Sequence, residues 1–198
     1  AAADAAATAA AADDRSQPKP YQDTGFWLSS QAGKRSLKGI ITDEVDAVRA
    51  TLDVCMYKAK NKDLIGTHVR DAVRKRGVRV RFLLNQDEND TKKNAAKLLA
   101  VDYPELVKLR WWPAISLGKL HAKYAVIDGK RALVGSINWG LSSLEPGVNE
   151  DNLLLSSTAA DVDPIVASFE AAWAMGDKFD PTTARDWSTP EAGPKAEA

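Results

Sequence analysis

The segment Val78-Arg79-Val80-Arg81-Phe82-Leu83-Leu84 constrains this chain more than any other. It alternates apolar and charged residues, then turns wholly apolar, as a strand does when it enters a buried part of a sheet. Just before it, Leu64, Ile65, Val69, Ala72 and Val73 recur at helical spacing; Asn61 or Asp63 can cap that helix, and Gly77 ends it after Arg76. The alternation of helix and strand continues both ways. Strands are expected at Gly25–Leu28, around Cys55, at Val107–Trp112 and at Asn152–Ser156, and a hairpin at Lys123–Ile127 and Ala132–Gly135 around Asp128-Gly129-Lys130. Helices are expected within 37–51, over about 92–101, and over Asp161–Met175, where Ile165, Val166, Phe169, Ala172 and Trp173 share a face. The fold class is α/β: a layered α/β/α sandwich with a central mixed β-sheet.

At 198 residues with 44% hydrophobic content, the chain suits one domain with a proper core. Residues 1–23 read as a disordered Ala-rich leader or linker, 24–178 as the ordered domain and 179–198 as a flexible tail. The small residues at the start fit the stretch after a removed signal peptide, which would make the protein secreted or periplasmic, and equally an interdomain linker. Basic and acidic residues balance, 27 against 27, so any attraction for a polyanion must come from a local patch. The single cysteine, Cys55, excludes an internal disulfide and reads as a buried strand residue. No apolar run approaches the roughly 20 residues that cross a bilayer.

The chemistry concentrates in His121-Ala122-Lys123, Asp128 five residues on, and Gly135-Ser136-Ile137-Asn138. Residues i and i+2 of a strand face the same way, so His121 and Lys123 project together, and the next strand delivers Ser136 and Asn138 beside them. A neutral imidazole can attack phosphorus, while a lysine, a hydroxyl and a carboxamide hold the anionic oxygens. Two histidines and one cysteine cannot build a closed zinc site, and no carboxylate cluster announces a catalytic metal, so no metal and no cofactor are expected.

His121, Lys123, Asp128, Gly135, Ser136 and Asn138 resemble the signature of the phospholipase D superfamily, and Arg76-Gly77-Val78-Arg79-Val80 is similar to the element ahead of it. The resemblance runs from about Leu37 to Met175. It is nearest to the single-motif branch of Nuc-type endonucleases and Zucchini-like enzymes. It implies a metal-independent phosphodiesterase working through a phosphohistidine, with one histidine as nucleophile and a second as acid and base. It makes Lys123 and Asn138 phosphate clamps, Ser136 their support and Asp128 a structural residue. It gives the orientation of the histidine to a later acidic residue, either Asp151 or Glu150.

His68, the other histidine, has no lysine two residues on and reads as an ordinary helix residue. One motif per chain therefore calls for His121 of a second copy in a homodimer, or for a second motif-bearing half of a larger enzyme. Nucleic acid is the expected substrate; a phospholipid head group is the alternative, and a non-catalytic binding domain a minor one. Arg70, Arg74, Lys75, Arg76, Arg79 and Arg81 are a candidate basic track, with helix-surface solvation as the competing explanation. Lys119, Trp112, Trp139 and Glu150 are weaker substrate-binding candidates. An apolar collar for lipid would draw on Trp111, Trp112, Ile115, Leu117, Trp139, Leu141 and Leu144.

Overall fold

The computed structural model describes residues 24–29, 36–91, 93–112, 118–140, 144 and 149–182; the expected leader and the tail beyond 182 lie outside them. Eight strands form one sheet: β1 (Gly25–Leu28), β2 (Thr51–Met56), β3 (Arg79–Asn85), β4 (Val107–Trp112), β5 (Lys123–Ile127), β6 (Arg131–Gly135), β7 (Asn152–Ser156) and β8 (Asp177–Lys178). Their spatial order is β1-β7-β6-β5-β2-β3-β4-β8. The central β2, β3 and β4 run parallel, and every other pairing is antiparallel, so the sheet is mixed.

The helices are α1 (Leu37–Ala47), α2 (Arg70–Arg76), α3 (Gln86–Asn89), α4 (Ala95–Asp102) and α5 (Ala159–Met175). On one sheet face Ile40, Ile41, Leu64, Ile65, Val73 and Leu99 share a core with Val54, Phe82, Leu84 and Ile127. On the other, Phe169 and Trp173 of α5 pack with Cys55, Leu83 and Tyr124. Helices on both faces explain why β3 turns wholly apolar: its second half is covered from both sides. Burial pushes the Cys55 thiol up to about 11, which keeps it an inert packing residue. A buried ion pair, Arg131 with Glu44 at 2.9 Å, fastens β6 to α1.

The helix expected from Asn61 to Arg76 differs at its start. Asn61 Oδ1 caps it by accepting from Leu64 N at 2.8 Å. Leu64–Val69 is then wound as a π-helix before α2 begins, and Gly77 ends α2 at φ +69°. Helix α4 starts at Ala95 rather than near residue 92, because Asn94 accepts from the Ala96 and Lys97 amides and sets the boundary there.

Candidate active site

The motif residues gather where the carboxyl ends of β2 and β3 meet the start of β5, the end at which parallel sheets leave room for ligands. The β2–β5 ladder reaches Met56 opposite Lys123, and one step further Tyr57 N donates to Ala122 O at 3.0 Å. This places His121 just outside the sheet, exposed, with Lys123 partly buried behind it. The Lys123 ammonium donates to His121 O at 2.6 Å. Desolvation lowers the Lys123 pKa, and the charge of Asp151 opposes that shift. Among the described residues no hydrogen bond reaches the His121 imidazole.

Strand β6 runs next to β5 and delivers the second half of the motif. Its last residue, Gly135, lies so close to β7 that a Cβ would stand 2.1 Å from Asn152 O. That approach lets Ser136 N donate to Asn152 O at 3.2 Å. The Ser136 hydroxyl accepts from Asn152 N at 3.0 Å and donates to Asp151 Oδ1 at 2.6 Å. Asp151, one of the two carboxylates expected to orient the histidine, thus holds Ser136 through Oδ1. Asn138 Oδ1 accepts from Lys58 N at 3.1 Å, so its NH2 is the end left to donate.

Tyr57 is the residue that sequence reasoning missed. Its ring lies 5.0 Å from that of His121, tilted by 56°. The Lys123 ammonium lies 5.4 Å from the centroid of the same ring, a cation–π distance. Its hydroxyl donates to Glu88 Oε1 at 2.9 Å. The segment it opens, Tyr57 to Asn61, ties the two half-motifs together: Lys60 N and Asn61 N both donate to Trp139 O, at 2.8 and 2.9 Å. Buried asparagines fix that segment in turn. Asn89 takes the Ala59 amide at 2.8 Å and donates to Tyr57 O at 2.7 Å, and Asn94 donates to Ala59 O at 3.0 Å. Asn85 Oδ1 accepts from Leu120 N at 3.1 Å, just ahead of His121. Only Asn85, at the end of the apolar run Phe82-Leu83-Leu84, carried a signal in the sequence; Asn89 and Asn94 stand among charged residues and gave none.

Several expected site residues lie elsewhere. Asp128, for which a structural part was expected, sits at the far end of β5, about 17 Å along the strand from Lys123. Its carboxylate accepts from the Arg49, Ala50 and Thr51 amides at 3.0, 2.7 and 2.9 Å. Asp128 and Gly129 both have positive φ, +53° and +63°, within the three-residue connection Asp128-Gly129-Lys130 that joins Ile127 to Arg131. Trp139 is only 2% exposed and belongs to the core, as do Trp111 and Leu144, so none of the three offers a wall to a ligand. Trp112 packs near α5 and donates to Gly118 O at 3.0 Å. Ile115, Leu117 and Leu141 lie outside the described residues. Lys119 and Glu150 are exposed.

The basic track disperses as well. Arg79 pairs with Thr51, at the opposite end of β2 from the site. Arg81 is engaged by Asp53 and Glu170 at 2.6 Å each, and Lys75 by Asp71 at 3.0 Å. His68 bonds Asp46 at 2.9 Å, and that contact raises its pKa. This is an ordinary helix-surface role.

A family described as cardiolipin synthase, PLD-like domain, matches residues 41–173. The chain belongs to the phospholipase D superfamily. The mitochondrial cardiolipin hydrolase of Mus musculus is 28% identical over 136 residues, 69% of this chain and 56% of that protein. The chain therefore spans about half the length of the curated relatives it matches. Nuc of Salmonella typhimurium, a solved phospholipase D family member, superposes with a TM-score of 0.66 at 16% identity, covering 79% of this chain and 97% of Nuc. NucT from Helicobacter pylori gives 0.63 at 18% identity, covering 79% and 99%. At these identities the superpositions carry the fold, and the fold is the layered one described above.

Proposed function

We propose that this phospholipase D superfamily member is a metal-independent phosphodiesterase acting through a phosphohistidine on His121, with a nucleic-acid strand as substrate. The observation that carries it is the convergence of His121, Lys123 and Asn138 on one short segment, Tyr57-Lys58, which bonds to both halves of the motif. An exposed imidazole attacks phosphorus, and the bond to the leaving oxygen breaks. Lys123 and the Asn138 amide hold the non-bridging oxygens, where negative charge must be matched. The equivalent His121 of a second copy gives its proton to the leaving oxygen. It then takes one from the water that cleaves the phosphorus–nitrogen bond, restoring both imidazoles.

Nucleic acid is preferred to lipid because of what surrounds the site. Of the seven residues offered as an apolar collar, Trp111, Trp139 and Leu144 are buried in the core, Trp112 is half-buried, and Ile115, Leu117 and Leu141 lie outside the described residues. Lys58 and Lys60 stand partly exposed on the segment beside the motif. The name borne by the curated relatives favours the second reading, hydrolysis of cardiolipin or another phospholipid.

Hydrolysis assays with chelator present, on single-stranded DNA, RNA, phosphatidylcholine and cardiolipin, test both readings. The expected result is cleavage of a nucleic acid that persists in chelator and falls by several orders of magnitude in His121→Ala. Activity lost to the chelator, or surviving in His121→Ala, overturns the mechanism. Turnover confined to the lipids overturns the substrate.

A further inference from the structure

Beside the catalytic groups, three donors converge on one carboxylate. Glu88 Oε1 accepts from the Tyr57 hydroxyl at 2.9 Å. Its Oε2 lies 3.3 Å from the Lys58 ammonium and 3.9 Å from that of Lys60. The bond from Tyr57 is the main cause holding Glu88 below the usual carboxylate range, so it is ionised at neutral pH. The three charged side chains are not locked in the core: Lys58, Lys60 and Glu88 are 41%, 35% and 25% exposed. Two lysines face Glu88, and the charge of Asp87 also acts on the Tyr57 hydroxyl, so removing Glu88 from the cluster leaves the lysines in excess.

The cluster is joined to the catalytic groups without an intervening element. Lys58 donates its amide to Asn138. The ammoniums of Lys58 and Lys123 each lie 5.4 Å from the centroid of the Tyr57 ring. One cation thus serves the phosphate at His121, and the other stands beside it around a shared aromatic ring.

We propose that Tyr57, Lys58 and Lys60 form a second phosphate subsite next to the scissile one, that Glu88 occupies it in the free protein, and that its ligand is the neighbouring phosphate of a nucleic-acid strand. The chemistry is that of substitution. A carboxylate and a phosphodiester oxygen accept the same charge-assisted bonds from the same donors, and a phosphate can replace the side chain. Because the pairs are partly exposed, the internal carboxylate is held weakly and is displaceable. The subsite rests on the phosphodiesterase reading, yet it makes a binding claim that stands apart from turnover.

A structural role for Glu88, as the anchor of Lys58 and Tyr57, predicts effects of the opposite sign. The test is fluorescence anisotropy of a labelled single-stranded oligonucleotide on the full chain, in a His121→Ala background that stops cleavage, titrated with salt. Lys58→Ala should flatten the slope of log affinity against log salt by about 0.7, one phosphate contact on a single strand. Glu88→Gln, with Glu88→Ala as a second variant, should tighten binding by about five-fold. An unchanged slope in Lys58→Ala, or weaker binding in both Glu88 variants, overturns the proposal. So does a Glu88 effect found only with vesicles of phosphatidylcholine and cardiolipin, which would assign the site to a lipid phosphate. Cleavage of bis(p-nitrophenyl) phosphate by the otherwise unaltered chain separates the two layers. If that single-phosphate diester is not cleaved, the parent reading has failed, while the binding series still decides the subsite.

Discussion

Asp128 shows how a motif can hold residues with unlike duties. Its carboxylate gathers three successive amides at the end of α1 and the start of β2, locking the β5–β6 turn against them. Asp128→Ala leaves those donors to water and should lower stability by about 2 kcal/mol in urea unfolding, with Asp128→Asn losing less because one oxygen remains. On the proposed mechanism Lys123 carries the contrasting duty, since it must be an ammonium to hold a phosphate oxygen. Desolvation has lowered its pKa and Asp151 works against that. Activity should therefore fall on the alkaline side at a lower pH than an ordinary lysine would set. In Asp151→Asn the supporting charge is gone, so the alkaline limb of kcat/KM should move lower still. A limb that stays in place would mean that another group titrates there.

Among the elements, the β6–β7 pair decides whether the second half of the motif reaches the first. Gly135 is there because the β7 backbone leaves no space for a side chain: Asn152 O and Leu153 Cα would lie 2.1 and 3.1 Å from its Cβ. Gly135→Ala must part the two strands and break the Ser136–Asn152 bonds. It should cost about 3 kcal/mol in thermal or urea unfolding, with activity falling further than the unfolded fraction explains. The strands themselves were legible: β4, β5 and β7 run from Val107, Lys123 and Asn152 as their apolar runs and flanking polar residues indicate. The π-helical turn at Leu64–Val69 was not legible, because its buried residues Leu64, Ile65 and Val69 also satisfy α-helical spacing. The period of a short segment does not separate the two windings.

For the whole molecule, one motif histidine in the chain is the governing fact. His68 is bound to Asp46 on the helical layer and is not part of the site. If two copies each lend a His121 to one composite site, a chain lacking it will poison its partner. After subunit exchange with an equal amount of His121→Ala, activity per wild-type chain should fall to about half, because half of the wild-type chains then sit in mixed pairs. Activity per wild-type chain that is unaffected by exchange would show a site complete within one copy.

What the sequence determined by itself was the inventory of chemistry and the order of the elements. Hydrophobic period, caps and turn residues are local properties, and a short motif keeps its residue types wherever it lands. His121, Lys123, Ser136 and Asn138 could be named on that basis. Only the tertiary structure decided which neighbours they keep. Tyr57, Glu88 and the asparagines at 85, 89 and 94 reach the site through contacts between distant positions, such as Lys58 with Asn138 and Leu120 with Asn85. Asp128 leaves it because a strand of five residues separates its ends by more than any phosphate can bridge. Spacing along the chain specifies direction and side, whereas distance across a sheet is set by pairing, which no single segment encodes.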